Sequence, residues 1–136
     1  MAAGYWFLST GDAQARAAAW KIFSGTERQN VLAGNFPHYP ARSFAKATDG
    51  CAAPGDPAWY NATEPGWIVK GDTSSDELCG HLAFYPVMYD VAQTDAERAR
   101  VLTVLEGITG GMLANNYSLI DPRTGKPTLW GMFLLA

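Results

Sequence analysis

Two helix-start signatures, about one helix length apart, constrain this chain more than any other feature of its sequence. Ser74-Ser-Asp-Glu77 and Thr94-Asp-Ala-Glu97 both place a glutamate three residues after a hydroxyl residue, which is the pattern of a capping box. Apolar residues at helical spacing follow the second signature: Val101, Leu105, Ile108 and Met112. The pattern predicts helices over 74–92 and 95–115, joined by a short turn as an αα-hairpin.

The two ends of the chain carry weaker signals, one for a helix and one for a β-hairpin. An alanine-rich stretch that begins at Asp12 predicts a helix over 12–33, with Asp12 as its N-cap and Gly34 just beyond its end. The polar and glycine residues of 24–26 predict a break within this helix. Near the other end, a turn-forming segment between two apolar runs predicts a β-hairpin over 117–133.

The middle of the chain, 35–70, loses all periodicity. Five prolines fall in it, and they exclude a long helix or a central strand: Pro37, Pro40, Pro54, Pro57 and Pro65. Its many aromatic residues indicate a long irregular loop that packs against something, with Trp67–Lys70 as a short strand. The fold class predicted from these patterns is mainly α, with three helices.

Composition excludes several classes of function. The chain has 136 residues, the length of about one domain, and a net charge of −3, which gives no support to nucleic-acid binding. No stretch approaches the roughly 20 apolar residues of a membrane span. The sequence contains no phosphate-binding loop, dinucleotide fingerprint, nucleophile elbow or paired CxxC, so we expect no cofactor. We also expect no metal. An EF-hand beginning at Asp72 fails at Glu77, where glycine is needed, and a zinc site on Glu77 and His81 would need a distant carboxylate or thiolate.

The cellular compartment stays open. Two sequons, at Asn61 and Asn116, fit a secreted protein, although such triplets also arise by chance. Cys51 and Cys79 could form one bridge if the chain meets an oxidising compartment. The opening residues are apolar but lack the basic region of a signal peptide.

The predicted middle helix carries the densest group of residues capable of chemistry. Glu77, His81 and Tyr85 lie at i, i+4 and i+8, so they share one ridge, with Asp76 at its start. A carboxylate, an imidazole and a phenol on one ridge suit acid–base catalysis or sugar binding. For Glu77 the capping box favours a structural role over a functional one.

Three residues outside that ridge are further candidates for substrate binding. Asp72 opens the polar run that precedes the helix. Arg42 could hold a substrate carboxylate, or could form a structural ion pair with an acidic residue such as Asp72. Trp130 could stack on a sugar ring, or could pack in the hairpin or the core.

Several of these residues also carry a resemblance to known proteins. The segments that show the resemblance are Pro40-Ala-Arg-Ser-Phe44, Lys70-Gly-Asp-Thr-Ser-Ser-Asp-Glu77 with Gly80-His81 and Tyr85, Tyr89-Asp90, Asn116-Tyr-Ser-Leu-Ile-Asp121, Gly125-Lys-Pro-Thr128 and Trp130-Gly131. In this order they resemble one region of a group of uncharacterised proteins that are similar to (α/α) toroids, the six-hairpin glycosidase-like fold. A closed toroid has about a dozen helices, so the chain would be a fragment: an αα-hairpin sector that packs against further helices of a longer parent.

The resemblance implies action on glycans. It points to a polysaccharide hydrolase or lyase whose catalytic residues would be Glu77, Asp76 and His81. Substrate would be held by the remaining candidates: Asp72, Arg42, Tyr85 and Trp130. The alternatives are a non-enzymatic glycan-binding or interaction module, or an inactive truncated fragment. Because a fold does not determine a function, these remain expectations.

Overall fold

The computed structural model of the chain describes residues 1–52 and 55–133. Within these ranges two pairs of helices are each followed by a group of short strands. The helices are α1 (Ala2–Thr10), α2 (Ala13–Ala33), α3 (Ser75–Val91) and α4 (Asp95–Ala114). The strands are β1 (Ser43–Lys46), β2 (Trp59–Asn61), β3 (Trp67–Lys70), β4 (Ser118–Asp121) and β5 (Lys126–Met132). None of the helices in these ranges is both long and apolar enough to cross a bilayer.

The predicted fold class, a mainly α αα-hairpin sector of an (α/α) toroid, is wrong. The described residues are 53% helix and 17% strand, so the fold is mixed α and β. The error lies in 35–70, where the segment expected to be irregular apart from one short strand contains a three-stranded antiparallel sheet. Its strands are only three or four residues long, too short to show a clear alternation in the sequence. Pro54, one of the five prolines of this segment, lies outside the described residues.

This small sheet has β3 at its centre, in the order β1-β3-β2. Phe44 of β1 and Tyr60 of β2 both lie opposite Val69 of β3, whose side chain is fully buried. The short strand predicted at Trp67–Lys70 is therefore confirmed as β3. The predicted C-terminal hairpin is also confirmed, as β4 and β5.

Helix α2 follows its predicted bounds closely. The Asp12 carboxylate accepts hydrogen bonds from the backbone N–H groups of Gln14, at 2.7 Å, and Ala15, at 3.2 Å. Gly34 ends the helix in a left-handed conformation with φ of 100°. The break expected at 24–26 is wrong: the helix runs on unbroken, and the buried Phe23 in the preceding turn ties this part of α2 to the core.

Helix α1 is absent from the sequence prediction, in which three helices were expected. Its glycine at position 4 lets it approach α3 closely, because a Cβ there would lie 2.7 Å from Val87 Cγ1. Its outer face leaves Tyr5 and Trp6 exposed. Since α1 is apolar on both faces, the periodicity that identifies an amphipathic helix is missing.

Helices α3 and α4 form the predicted αα-hairpin. The Glu77 carboxylate accepts from the Ser74 N–H at 2.9 Å, and the Glu97 carboxylate accepts from the Thr94 N–H at 3.2 Å. Both capping boxes are therefore present. Helix α3 continues through Pro86 to its end at Val91.

The buried apolar residues form two clusters. The larger lies among α2, α3 and α4, with the fully buried Phe23, Leu78 and Ile108 among its members. The smaller lies between the C-terminal end of α2 and the three-stranded sheet, around Leu32 and Tyr39. We call them the helical cluster and the sheet cluster.

The segment that follows α2 packs tightly against α4. A Cβ on Gly107 would lie 2.6 Å from Pro37 Cβ, and closer still to Pro37 Cγ. Beside this contact, His38 Nδ1 lies 2.9 Å from the carbonyl oxygen of Gly107. Gly110, one turn further along α4, has open space where a Cβ would stand.

Candidate functional site

A cavity of about 320 Å³ lies against the N-terminal half of α3, and we call it the α3 pocket. Its wall is formed by Met1, Ile22, Thr26, Ala41, Arg42, Glu77, Gly80, His81 and Phe84. Three of the residues predicted from the sequence, Arg42, Glu77 and His81, therefore meet in one place. Helix α3 supplies two of them at the i, i+4 spacing, and the segment before β1 supplies the third.

The Glu77 carboxylate is engaged on both of its oxygens. Its Oε1 accepts from Arg42 Nε at 2.6 Å, and its Oε2 accepts from the Ser74 N–H at 2.9 Å. The two charged side chains are each about one-third exposed. The ion pair expected of Arg42 is therefore present, although its partner is Glu77 and not Asp72.

His81 is half-buried in the pocket wall. Its Nδ1 lies 3.0 Å from the hydroxyl oxygen of Tyr85, which is fully buried beneath the pocket. Burial lowers the pKa of His81, while the nearby Glu77 carboxylate opposes that shift. Burial also raises the pKa of Tyr85 to about 12, so its phenol stays protonated at neutral pH.

Asp76 lies outside the α3 pocket. It is exposed in the first turn of α3, and its carboxylate accepts from the Ser74 hydroxyl. That hydrogen bond is the largest influence that lowers the pKa of Asp76. A carboxylate in this position stabilises the helix N-terminus through the helix dipole, and the pocket wall leaves it out.

Asp72 belongs to a second cavity, of about 350 Å³, which lies between β4–β5 and the segment before β2. Its Oδ1 accepts from the backbone N–H of Leu129 at 3.0 Å, which ties the start of α3 to β5. Trp130, the next residue of β5, is 64% exposed. The alternative that Trp130 packs in the core is therefore excluded, and neither Asp72 nor Trp130 lines the α3 pocket.

The part of the pocket that α2 supplies is not among the site residues predicted from the sequence. Ile22 and Thr26 line the cavity, and Asn30 lies buried one turn further on, beside Tyr85. These three residues recur every four positions, so they share one face of α2. The spacing was visible in the sequence, but it mixes apolar and polar residues and so does not form an apolar stripe.

The described residues contain neither a disulfide nor a group of potential metal ligands. Cys51 and Cys79 are both exposed free thiols, so the pairing that an oxidising compartment could allow is not formed here. Within residues 1–52 and 55–133, no three His, Cys, Asp or Glu side chains group closely enough to hold a metal ion.

The half-buried imidazole of His81 predicts a pH-dependent stability. The ordinary pKa of histidine is about 6.5, and in the fold the pKa of His81 is lower. Below about pH 6.5 the unfolded chain therefore binds more protons than the folded chain, and the free energy of unfolding falls as the pH falls. Denaturant unfolding at a series of pH values from about 5 to 8 should show this loss, and His81→Gln should reduce it. An identical pH dependence in the two proteins would contradict the assignment.

No family model matches the chain, and no curated protein or solved structure is significantly similar to it.

Proposed function

We propose that the α3 pocket binds a carbohydrate and that the chain acts as a glycan-binding module. The observation that carries this proposal is the meeting of Arg42, Glu77 and His81 with the ring of Phe84 in one concave wall. Sugars present hydroxyl groups around an apolar ring face. They therefore bind where oriented polar groups adjoin an aromatic or aliphatic surface.

The size of the cavity limits what it can hold. Ligand pockets span roughly 300 to 1,000 Å³, and the α3 pocket, at about 320 Å³, is near the lower end. A cavity of this volume suits one or two sugar rings. A longer glycan would extend from the pocket over the surrounding surface.

The charges of the pocket favour a neutral sugar. Arg42 and Glu77 form an ion pair, so their charges cancel at short range. The lowered pKa of His81 keeps its imidazole uncharged near neutral pH. A uronate or phosphate would have to compete with the Glu77 carboxylate for the guanidinium of Arg42.

Binding is favoured over hydrolysis by the number of carboxylates. Glycoside hydrolysis in most enzymes uses two carboxyl groups that flank the scissile bond. Among the residues of the described wall, Glu77 alone has a carboxylate, and Arg42 and Ser74 already engage it. The resemblance of 70–77 to glycosidase-like proteins supports the class of ligand, a glycan, without requiring turnover.

A titration with neutral oligosaccharides, followed by amide NMR shifts, tests the proposal. We expect shifts around the α3 pocket. We also expect His81→Ala to weaken binding about threefold to tenfold, the effect of one lost hydrogen bond. The matched control is Trp130→Ala, which removes an exposed aromatic residue that does not line this pocket. No saturable shift with any sugar, or a loss of binding confined to the Trp130 variant, would contradict the proposal.

A second candidate, a protein-interaction module, is favoured by the outer face of α1. Tyr5 and Trp6 are 58% and 59% exposed there, and Leu8 is 45% exposed. Neighbouring apolar side chains left open to solvent are typical of a face that another element covers. The expected packing against further helices of a longer parent therefore stays a prediction, and α1 is where we would place it.

A further inference from the structure

A chain of hydrogen bonds under the α3 pocket begins at the backbone of Ala41. Its N–H donates to the side-chain oxygen of Asn30 at 3.3 Å, and Asn30 is fully buried. Because a backbone N–H can only donate, this contact identifies the amide oxygen of Asn30. The amide nitrogen is then the atom that lies 3.5 Å from the Tyr85 hydroxyl oxygen.

The direction of the hydrogen bond between Asn30 and Tyr85 follows from the one between Ala41 and Asn30. The Asn30 amide nitrogen only donates, so the Tyr85 oxygen accepts from it. The single proton of the Tyr85 hydroxyl is then left for another acceptor, and His81 Nδ1 lies 3.0 Å away. The alternative acceptor is the Thr26 hydroxyl, which also lies beside Tyr85 and donates its own proton to the Phe23 carbonyl at 2.8 Å.

We infer that Tyr85 fixes neutral His81 as the tautomer that carries its proton on Nε2, and that His81 therefore offers the pocket a hydrogen-bond donor. The contact with Tyr85 is made by Nδ1, so Nε2 is the ring nitrogen that is left for a ligand. The inference rests on the proposed function for its ligand. For that ligand it assigns the direction of one contact: a sugar oxygen accepts from His81 Nε2. Tyr85, which is fully buried, acts here as a positioning residue.

A second histidine of the chain provides a reference for the tautomer of His81. This residue, His38, has Nδ1 at 2.9 Å from the Gly107 carbonyl, and a carbonyl only accepts. His38 therefore carries a proton on Nδ1. The two histidines are expected to hold opposite tautomers when both are neutral.

Side-chain ¹⁵N NMR of the full chain, above neutral pH and without ligand, tests the inference. We expect the His81 proton on Nε2 and the His38 proton on Nδ1, with His81→Ala used to assign the signals. In Tyr85→Phe, the preference of His81 for this tautomer should fall to that of an unconstrained imidazole, which is a mixture of both tautomers, whereas Tyr89→Phe should leave it unchanged. Tyr89 is a matched control, because it lies one turn further along α3 and is 38% exposed.

The same variants separate this inference from the proposed function. If Tyr85 positions His81, Tyr85→Phe should weaken sugar binding about threefold to tenfold while the chain stays folded by circular dichroism. A proton found on Nδ1 of His81 in the native chain would overturn the inference, and would indicate that Tyr85 donates to Thr26 instead. Failure of every sugar to bind would reject the proposed function, while the tautomer would still be decided by the ligand-free spectra.

Discussion

Truncation of Phe23 to alanine should lower the free energy of unfolding by about 3–5 kcal/mol, the usual loss for a buried phenylalanine. Its side chain is fully buried in the helical cluster. The ring meets Trp20 at a centroid distance of 5.3 Å and Tyr85 at 6.1 Å, both edge to face. The variant would therefore leave a cavity and also remove two aromatic contacts. Denaturant unfolding followed by circular dichroism measures the change.

Ile22→Ala is the matched control for this truncation. Ile22 is the neighbouring residue of α2 and is 47% exposed, so it contributes far less buried area. Its loss should change the free energy of unfolding by less than about 1 kcal/mol. Equal losses in the two variants would contradict the placement of Phe23 in the core.

Gly107→Ala should destabilise the chain by about 1–3 kcal/mol, the usual effect of overpacking, although alanine is the better helix former. The added Cβ would overlap Pro37 and lie 3.0 Å from its carbonyl oxygen. Because proline is rigid and its backbone is in contact, neither side can easily move away. Denaturant unfolding again gives the change in free energy.

Gly110→Ala, in the same helix, is expected to do the opposite. A Cβ there meets nothing within 4 Å, so the substitution keeps the propensity gain of up to about 1 kcal/mol. The two substitutions are chemically identical and three residues apart. If both stabilise the chain, the close packing of Pro37 on α4 is not present in solution.

The longer helices could be predicted because their signals are local. The Asp12 cap and the two capping boxes each act within three residues, and each is found in the structure. Such interactions depend little on the rest of the chain, so a single sequence is enough to identify them. The hairpin was found for the same reason, since turn chemistry between adjacent strands is also local.

The sheet could not be predicted, because its pairing is not local. Ser43 of β1 lies opposite Lys70 of β3, with the whole of β2 between them in the sequence. Only β3 is identifiable as a strand from its own residues. β1 and β2 are too short to identify alone, and all three strands are stabilised by their neighbours and by the cover that α2 provides. The prolines are accommodated outside the described strands, with Pro127 of β5 as the exception.

The site residues predicted from the sequence do not all lie in one place, and the reason is again that some of their contacts are not local. Glu77 and His81 share a helix face, so their meeting follows from spacing alone. Asp72 is only five residues before Glu77, but it turns away with φ of 54° and accepts from Leu129 of β5. That contact joins residues more than fifty positions apart, and nothing in the local sequence indicates it.

The division of the buried residues into a helical and a sheet cluster has a consequence for dynamics. Ala41 of the pocket wall belongs to the sheet cluster, whereas Phe84 belongs to the helical cluster. Proteins open in cooperative parts, and a small cluster separates more readily than a large one. A transient detachment of the sheet would thus dismantle the pocket while the helices stay intact. An occupant of the pocket would hold the two parts together and slow amide exchange in β1–β3.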